Sequence, residues 1–334
     1  MLKAILVKPK QFVLENVPIP PIKEDEILAK VIYSGICGSD LHSFIGGNPF
    51  AQYPVALGHE FVGIVEQVGS HVKNIKNDDV ITAEPSDSCK ECIYCKRGDY
   101  HLCHNQGPWY GSFSEFIVVK EKQVYKIPNN LDLKIAVFIE PLAFAIHAME
   151  VAKLKKNDEV LIFGAGPIGQ LIARVSKFYG AGNVSIIDMV AKKLKIARDG
   201  GVDEAILVDK NTSFKDLSGS IKKDNIDIVF DCVVNEFSIN SSINLVKRNG
   251  KVVVVGVSSN LIPTDLSNLM FNEVKIFGCL MYKNNFNESI NLLNNNKIVV
   301  SDLISDVFKL ENIQDVFNNI ITNKDKYLKC LIES

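Results

Sequence analysis

The apolar run Val160-Leu161-Ile162-Phe163 is followed at once by Gly164-Ala165-Gly166-Pro167-Ile168-Gly169, and then by an amphipathic stretch that reaches Tyr179. A buried strand, a glycine turn and a helix in that order form a dinucleotide-binding fingerprint. The glycines permit a tight turn, a close approach of backbone to a pyrophosphate, and close packing of helix on strand. The helix N-terminus offers N–H groups and partial positive charge to the phosphates. Asp188 ends the next strand, nineteen residues after Gly169, where a carboxylate accepts hydrogen bonds from the adenosine ribose hydroxyls. Met189 and Val190 follow, with no arginine to receive a 2′-phosphate, so NAD is expected over NADP. Pro167, Ile168, Lys193, Val233 and Val255 complete the candidate cofactor contacts.

Around this turn, strands such as Val184–Ile187, Ile226–Phe230 and Val252–Val257 alternate with helical segments such as Lys192–Arg198. Nearly continuous Val/Ile strands separated by helices predict a doubly wound parallel sheet covered on both faces, over residues 143–278. Residues 1–142 have a different texture, with short strands at Glu26–Tyr33, Glu60–Val68 and Phe113–Val119 and turn signals at Pro20-Pro21, Gly46-Gly47-Asn48-Pro49 and Asn129-Asn130. The expected class is therefore α/β, a β-rich domain joined to a doubly wound one. A chain of 334 residues is also long for a single core.

Charge narrows the partners. Lys and Arg number 37 against 39 acids, a formal charge of -2, with no block of one sign. Neither a nucleic acid nor a membrane partner is expected. The first residues, Met1–Pro9, are too short an apolar run for a signal sequence, and no stretch reaches the roughly 20 apolar residues of a membrane span. A cytoplasmic protein acting on a small molecule is the expectation.

Of eight cysteines, four are crowded into Cys89-x2-Cys92-x2-Cys95-x7-Cys103. That spacing suits tetrahedral zinc in a lobe over residues 86–104, with Lys90, Lys96 and Arg97 to offset the thiolate charge. A ferredoxin-like iron–sulfur run would end in a three-residue gap followed by proline, which this chain lacks. Four thiolates leave no open position, so this zinc is structural. Cys37, His59 and Glu60 lie in the glycine-flanked loops Gly35–His42 and Gly58-His59-Glu60, a mixed ligand set suited to a zinc that keeps an exchangeable position.

Together with Gly111-Ser112-Phe113-Ser114-Glu115, Glu140-Pro141-Leu142 and the Gly164–Gly169 turn, these pieces make the whole chain resemble the zinc-dependent medium-chain alcohol and polyol dehydrogenases. The resemblance implies a GroES-like catalytic domain, residues 1–142 and 279–334, with the Rossmann domain inserted. It implies two zinc ions per chain and NAD. Cys37, His59 and Glu60 would hold the catalytic zinc, with Glu140 as a further ligand or water holder. Asp40 would hydrogen-bond the far nitrogen of His59. Ser39 would take the proton of the substrate hydroxyl and His42 would pass it to solvent.

The Gly46–Pro54 segment and the Glu60/Glu140 pair resemble polyol, sugar-phosphate and sugar-acid dehydrogenases, of the sorbitol, galactitol-phosphate and sugar-acid types. Met281 stands where the sorbitol type often has arginine, and the Cys103–Gly111 loop is short for the family. Phe50, Trp109, Tyr110 and Met281 are the candidate pocket residues. Alternatives are a secondary-alcohol or threonine-type dehydrogenase and a non-catalytic zinc-binding module. By the same resemblance, Val274–Phe277 is expected to be an edge that pairs in a homodimer or homotetramer, and Tyr53-Pro54 to be cis.

Overall fold

The computed structural model describes residues 1–48, 51–107, 111–221 and 225–334. Fifteen strands are found among these residues. They are β1 (Leu2–Lys8), β2 (Gln11–Asn16), β3 (Glu26–Gly35), β4 (Glu60–Val68), β5 (Val80–Ala83), β6 (Phe116–Lys120) and β7 (Val124–Lys126), then β8 (Val160–Phe163), β9 (Val184–Asp188), β10 (Glu204–Leu207), β11 (Ile226–Asp231), β12 (Val246–Val254) and β13 (Lys275–Gly278), and finally β14 (Ile304–Lys309) and β15 (Lys329–Glu333).

The chain divides into two compact units, Met1–Pro141 with Lys283–Ser334, and Leu142–Tyr282. The return to the first unit therefore falls at Lys283, a few residues beyond the expected 279. The reason is that Cys279 donates its N–H to Val254 O at 3.0 Å, which ties the end of β13 to β12.

In the first unit a seven-stranded sheet runs β14-β15-β3-β4-β5-β7, with β6 on β3. Its long strand β3 carries Ile27, Ala29 and Val31 into a core shared with Phe61 and Val65 of β4 and Ile81 of β5. A second core gathers Phe12, Phe44, Phe113 and Phe317, with Phe12–Phe317 ring centroids 4.9 Å apart, edge to face. Each buried phenyl ring contributes about 1.5–3 kcal/mol of transfer free energy. The Tyr53-Pro54 bond is cis, as expected, and the Tyr53 hydroxyl donates to Ser43 O at 2.6 Å.

The second unit is a six-stranded sheet in the order β10-β9-β8-β11-β12-β13, every pair parallel. All four residues of β8 are buried, as a strand flanked by helices on both faces requires. Counted from β8, the spatial order is 3-2-1-4-5-6, whose point of reversal lies between β8 and β11. Open sheets of this kind take nucleotides at that point, beyond the carboxyl ends of the strands.

Candidate active site and cofactor site

The structure brings Cys37, His59 and Glu60 together: one donor atom from each lies within 4.8 Å of the others. Cys37 caps the short helix Gly38–Phe44, Glu60 opens β4 and His59 stands just before it. Immediately ahead of His59, Gly58 has φ +92°, and a Cβ there would stand 2.6 Å from Ser112 Oγ and 2.9 Å from the Phe113 nitrogen. Only glycine can make this bend, and the bend aims His59 at Cys37.

Asp40 lies 3.7 Å from His59, Oδ1 to Nδ1, a charge contact rather than the expected hydrogen bond. Its carboxylate instead accepts the N–H of Cys37 at 2.9 Å and that of Gly58 at 3.3 Å. Both ligand-bearing loops are thus pinned to one buried side chain. Burial pushes the Asp40 carboxyl up, although His59 and the two N–H donors pull it down. Burial works against a charged His59 ring, yet Asp40, Cys37 and Glu140 outweigh it and hold its pKa well above the ordinary value.

A residue that sequence reasoning missed completes the centre. Lys329, 2% exposed, donates to both carboxylate oxygens of Glu60 at 2.8 and 2.6 Å and to Ile36 O at 3.1 Å. Gly35 makes room for this pair, since a Cβ there would lie 2.1 Å from Glu60 Oε2. Glu140, in the first turn of helix Ile139–Ala152, acts electrostatically on both His59 and Lys329, but it lies outside the 4.8 Å donor group. Ser39 and His42 are exposed on the Gly38–Phe44 helix, one turn apart.

The lobe is a second donor set. Its sulfurs stand 3.4 Å (Cys89–Cys103), 3.6 Å (Cys92–Cys95) and 3.9 Å (Cys89–Cys95 and Cys92–Cys103) apart, and no disulfide forms. Four sulfurs at a zinc distance of about 2.3 Å occupy tetrahedron corners about 3.8 Å apart, so the set fits zinc. The donor chemistry agrees. N–H groups of Cys95 and His104 hold the Cys92 thiol down at about 6. Burial and three neighbouring sulfurs push Cys95 up to about 12, an opposition that a dication in their midst removes.

In the second unit the Gly164–Gly169 turn has the shape a pyrophosphate requires. Gly164 has φ +95°, a Cβ on Gly166 would meet open space, and a Cβ on Gly169 would lie 1.9 Å from Gly164 O. Gly166 caps the helix Pro167–Phe178, with Pro167 and Ile168 in its first turn. The Asp188 carboxylate accepts the N–H of Ala165 at 2.7 Å and of Val190 at 2.8 Å. Lys193 is half-buried on the following helix, and its carbonyl accepts from Gln170 at 2.9 Å. Val233, 42% exposed, follows β11, and Val255, half-buried, follows β12. Met281 is buried with φ +51°, so its side chain presents little surface. Phe50, Trp109 and Tyr110 lie outside the described residues.

Comparison with known proteins follows the same two blocks. Residues 23–129 match the alcohol dehydrogenase GroES-like domain and residues 167–295 the zinc-binding dehydrogenase domain. The chain is 30% identical to sorbitol dehydrogenase of Bacillus subtilis over 99% of its own length and 97% of that protein. It is 31% identical to L-idonate 5-dehydrogenase of Vitis vinifera, covering 90% and 86%. Among solved structures, an alcohol dehydrogenase from Escherichia coli CFT073 complexed with NADH superposes with TM-score 0.92 at 29% identity, covering 100% and 99%. A zinc-binding dehydrogenase from Sinorhizobium meliloti 1021 bound to NADP gives 0.92 at 28%, with the same coverage. The chain belongs to the zinc-dependent medium-chain alcohol and polyol dehydrogenases.

Proposed function

We propose that this enzyme oxidises a secondary hydroxyl of a polyol, sugar phosphate or sugar acid to the ketone, reversibly, with NAD as hydride acceptor. The observation that carries the reading is the compact Cys37–His59–Glu60 donor set beside a separate, closed four-cysteine set. Three protein donors leave a position for substrate, whereas four thiolates leave none. Zinc held there supplies Lewis acidity that brings a hydroxyl's pKa toward neutrality. Ser39 takes the released proton and His42 hands it to solvent, which their exposure on one helix face supports. Asp40 holds His59 in place by its charge and fixes both ligand loops through their N–H groups. Glu140 is placed to bias the centre electrostatically.

The polyol class rests on the likeness to sorbitol and L-idonate dehydrogenases, and the preference for NAD on Asp188 with no arginine after it. Residues 1–141 and 283–334 serve catalysis and 142–282 bind the cofactor. The assembly we favour is a homodimer or a tetramer of dimers. It rests on β13 as a sheet edge and on the exposed Ile276, Leu280, Met270 and Phe271 near it. NADH formation measured across polyols, sugar phosphates, sugar acids, threonine and short alcohols tests the function. Turnover confined to threonine or short alcohols overturns the polyol reading.

A further inference from the structure

Val234 follows β11 with φ +54°. A β-branched residue in the left-handed region is strained, because its Cβ crowds the following carbonyl, and such strain persists only where the surroundings impose it. Here the imposing group is visible. Asp231, fully buried, accepts the N–H of Val233 at 3.0 Å and of Val234 at 2.9 Å, and Ser238 donates its hydroxyl to the other carboxylate oxygen at 2.8 Å. The turn so held wedges two valines against two glycines. A Cβ on Gly164 would meet Val233 Cγ2 at 2.9 Å, and a Cβ on Gly256 would meet Val234 Cγ2 at 2.9 Å. Gly164 opens the phosphate turn after β8, and Gly256 lies just beyond β12, so the wedge joins the carboxyl ends of three neighbouring strands at the point where the strand order reverses.

We infer that Val234 is a strain-bearing positioning residue, which drives Val233 onto Gly164 and presets the Gly164–Gly169 turn for the dinucleotide. Strain stored in this turn is then the cost of a backbone that needs little rearrangement to take the cofactor. The inference rests on the dinucleotide reading of this unit, and the test keeps the two apart.

Val234→Gly can hold or leave the left-handed region at no cost and loses the side chain packed on Gly256, so nothing then drives Val233 onto Gly164; Val234→Asn tolerates the left-handed region and serves should the glycine variant fold poorly. Three properties are measured: the melting temperature of cofactor-free protein, hydrogen exchange of the 164–170 amides, and the Kd for NADH by fluorescence titration. We expect a melting temperature equal to or above the parent's, exchange at least about threefold faster in 164–170 but unchanged in β8 and β11, and NADH binding weakened about three- to tenfold. The KM for NAD should rise by the same factor, with kcat within about twofold. A variant with parental exchange in 164–170 and parental NADH affinity overturns the inference. Faster exchange spread over the whole unit, with a lowered melting temperature, overturns it too, since Val234 would then be merely structural. Parent protein that binds neither NADH nor NADPH overturns the dinucleotide reading instead.

Discussion

A buried lysine survives only where an anion stands against its ammonium, and Lys329 has Glu60. Removing one partner of such a pair strands the other charge, a loss of about 3–5 kcal/mol, whereas neutralising both is far milder. Lys329→Met is therefore expected to lower the unfolding free energy of chelator-treated protein by that amount, and the double variant Glu60→Gln/Lys329→Met to recover most of it. Denaturant titration checks this; an unchanged midpoint in the single variant refutes it. At this scale the sequence was uneven. Cys37, His59 and Glu60 were legible because soft and hard donors in glycine-flanked loops have few other uses. Lys329 was not, because a lysine opening the apolar strand Lys329-Cys330-Leu331-Ile332 is ordinarily assigned to solvent, and only the antiparallel pairing of β15 with β3 turns it toward Glu60. Asp40 was placed beside His59 on resemblance, but its hydrogen bonds to two loop N–H groups depend on a fold that spacing does not reveal.

Among the elements, the cysteine lobe stated its geometry most fully, since four thiolates in fifteen residues can converge on little but one ion. Elemental analysis of two variants separates the two metal sets. Cys37→Ser is expected to keep one zinc per chain and the fold while losing activity; Cys92→Ser is expected to unravel the lobe and lower thermal stability. Two zinc ions retained in Cys37→Ser would refute the assignment. The lobe is anchored through Tyr100, whose hydroxyl donates to Glu84 at 3.0 Å, as Tyr125 does at 2.9 Å. Burial raises the Glu84 carboxyl above its ordinary range despite both donors. The folded chain therefore holds that proton more tightly than the unfolded one. Its contribution is greatest in acid and is lost as pH rises through the folded value. Glu84→Gln keeps an acceptor for both tyrosines, so its stability relative to the parent should improve between about pH 5 and about pH 8. Melting curves at both ends decide, and a difference that does not change with pH counts against it. The glycine turn was equally legible, but the strained Val234 was not, because valine carries no sign that its backbone is left-handed.

For the whole molecule, the doubly wound sheet could be read from alternating strands and helices, while its outer boundary could not, since it depends on the backbone bond of Cys279 to Val254 and on the burial of Met281 and Tyr282. Two predictions belong here. With the eventual substrate, kcat/KM should favour NAD over NADP at least about tenfold, because Asp188 offers a carboxylate where the 2′-phosphate would sit. Equal efficiencies would remove that reading. Light scattering at micromolar concentration should find a dimer or tetramer, and a charge placed on the β13 edge by Ile276→Lys should shift it toward monomer; a parental monomer would end the idea. The first unit is also split in sequence, with β3 paired to a strand that arrives only after the entire second unit. Synthesis proceeds in one direction, so the contiguous second unit can fold as soon as it emerges, whereas the first must wait with its sheet open. Cys37, His59 and Glu60 are made before the second unit, but Glu60 meets its ammonium partner only after that unit has been made. A nascent chain would thus present a half-built metal centre throughout the synthesis of the second unit.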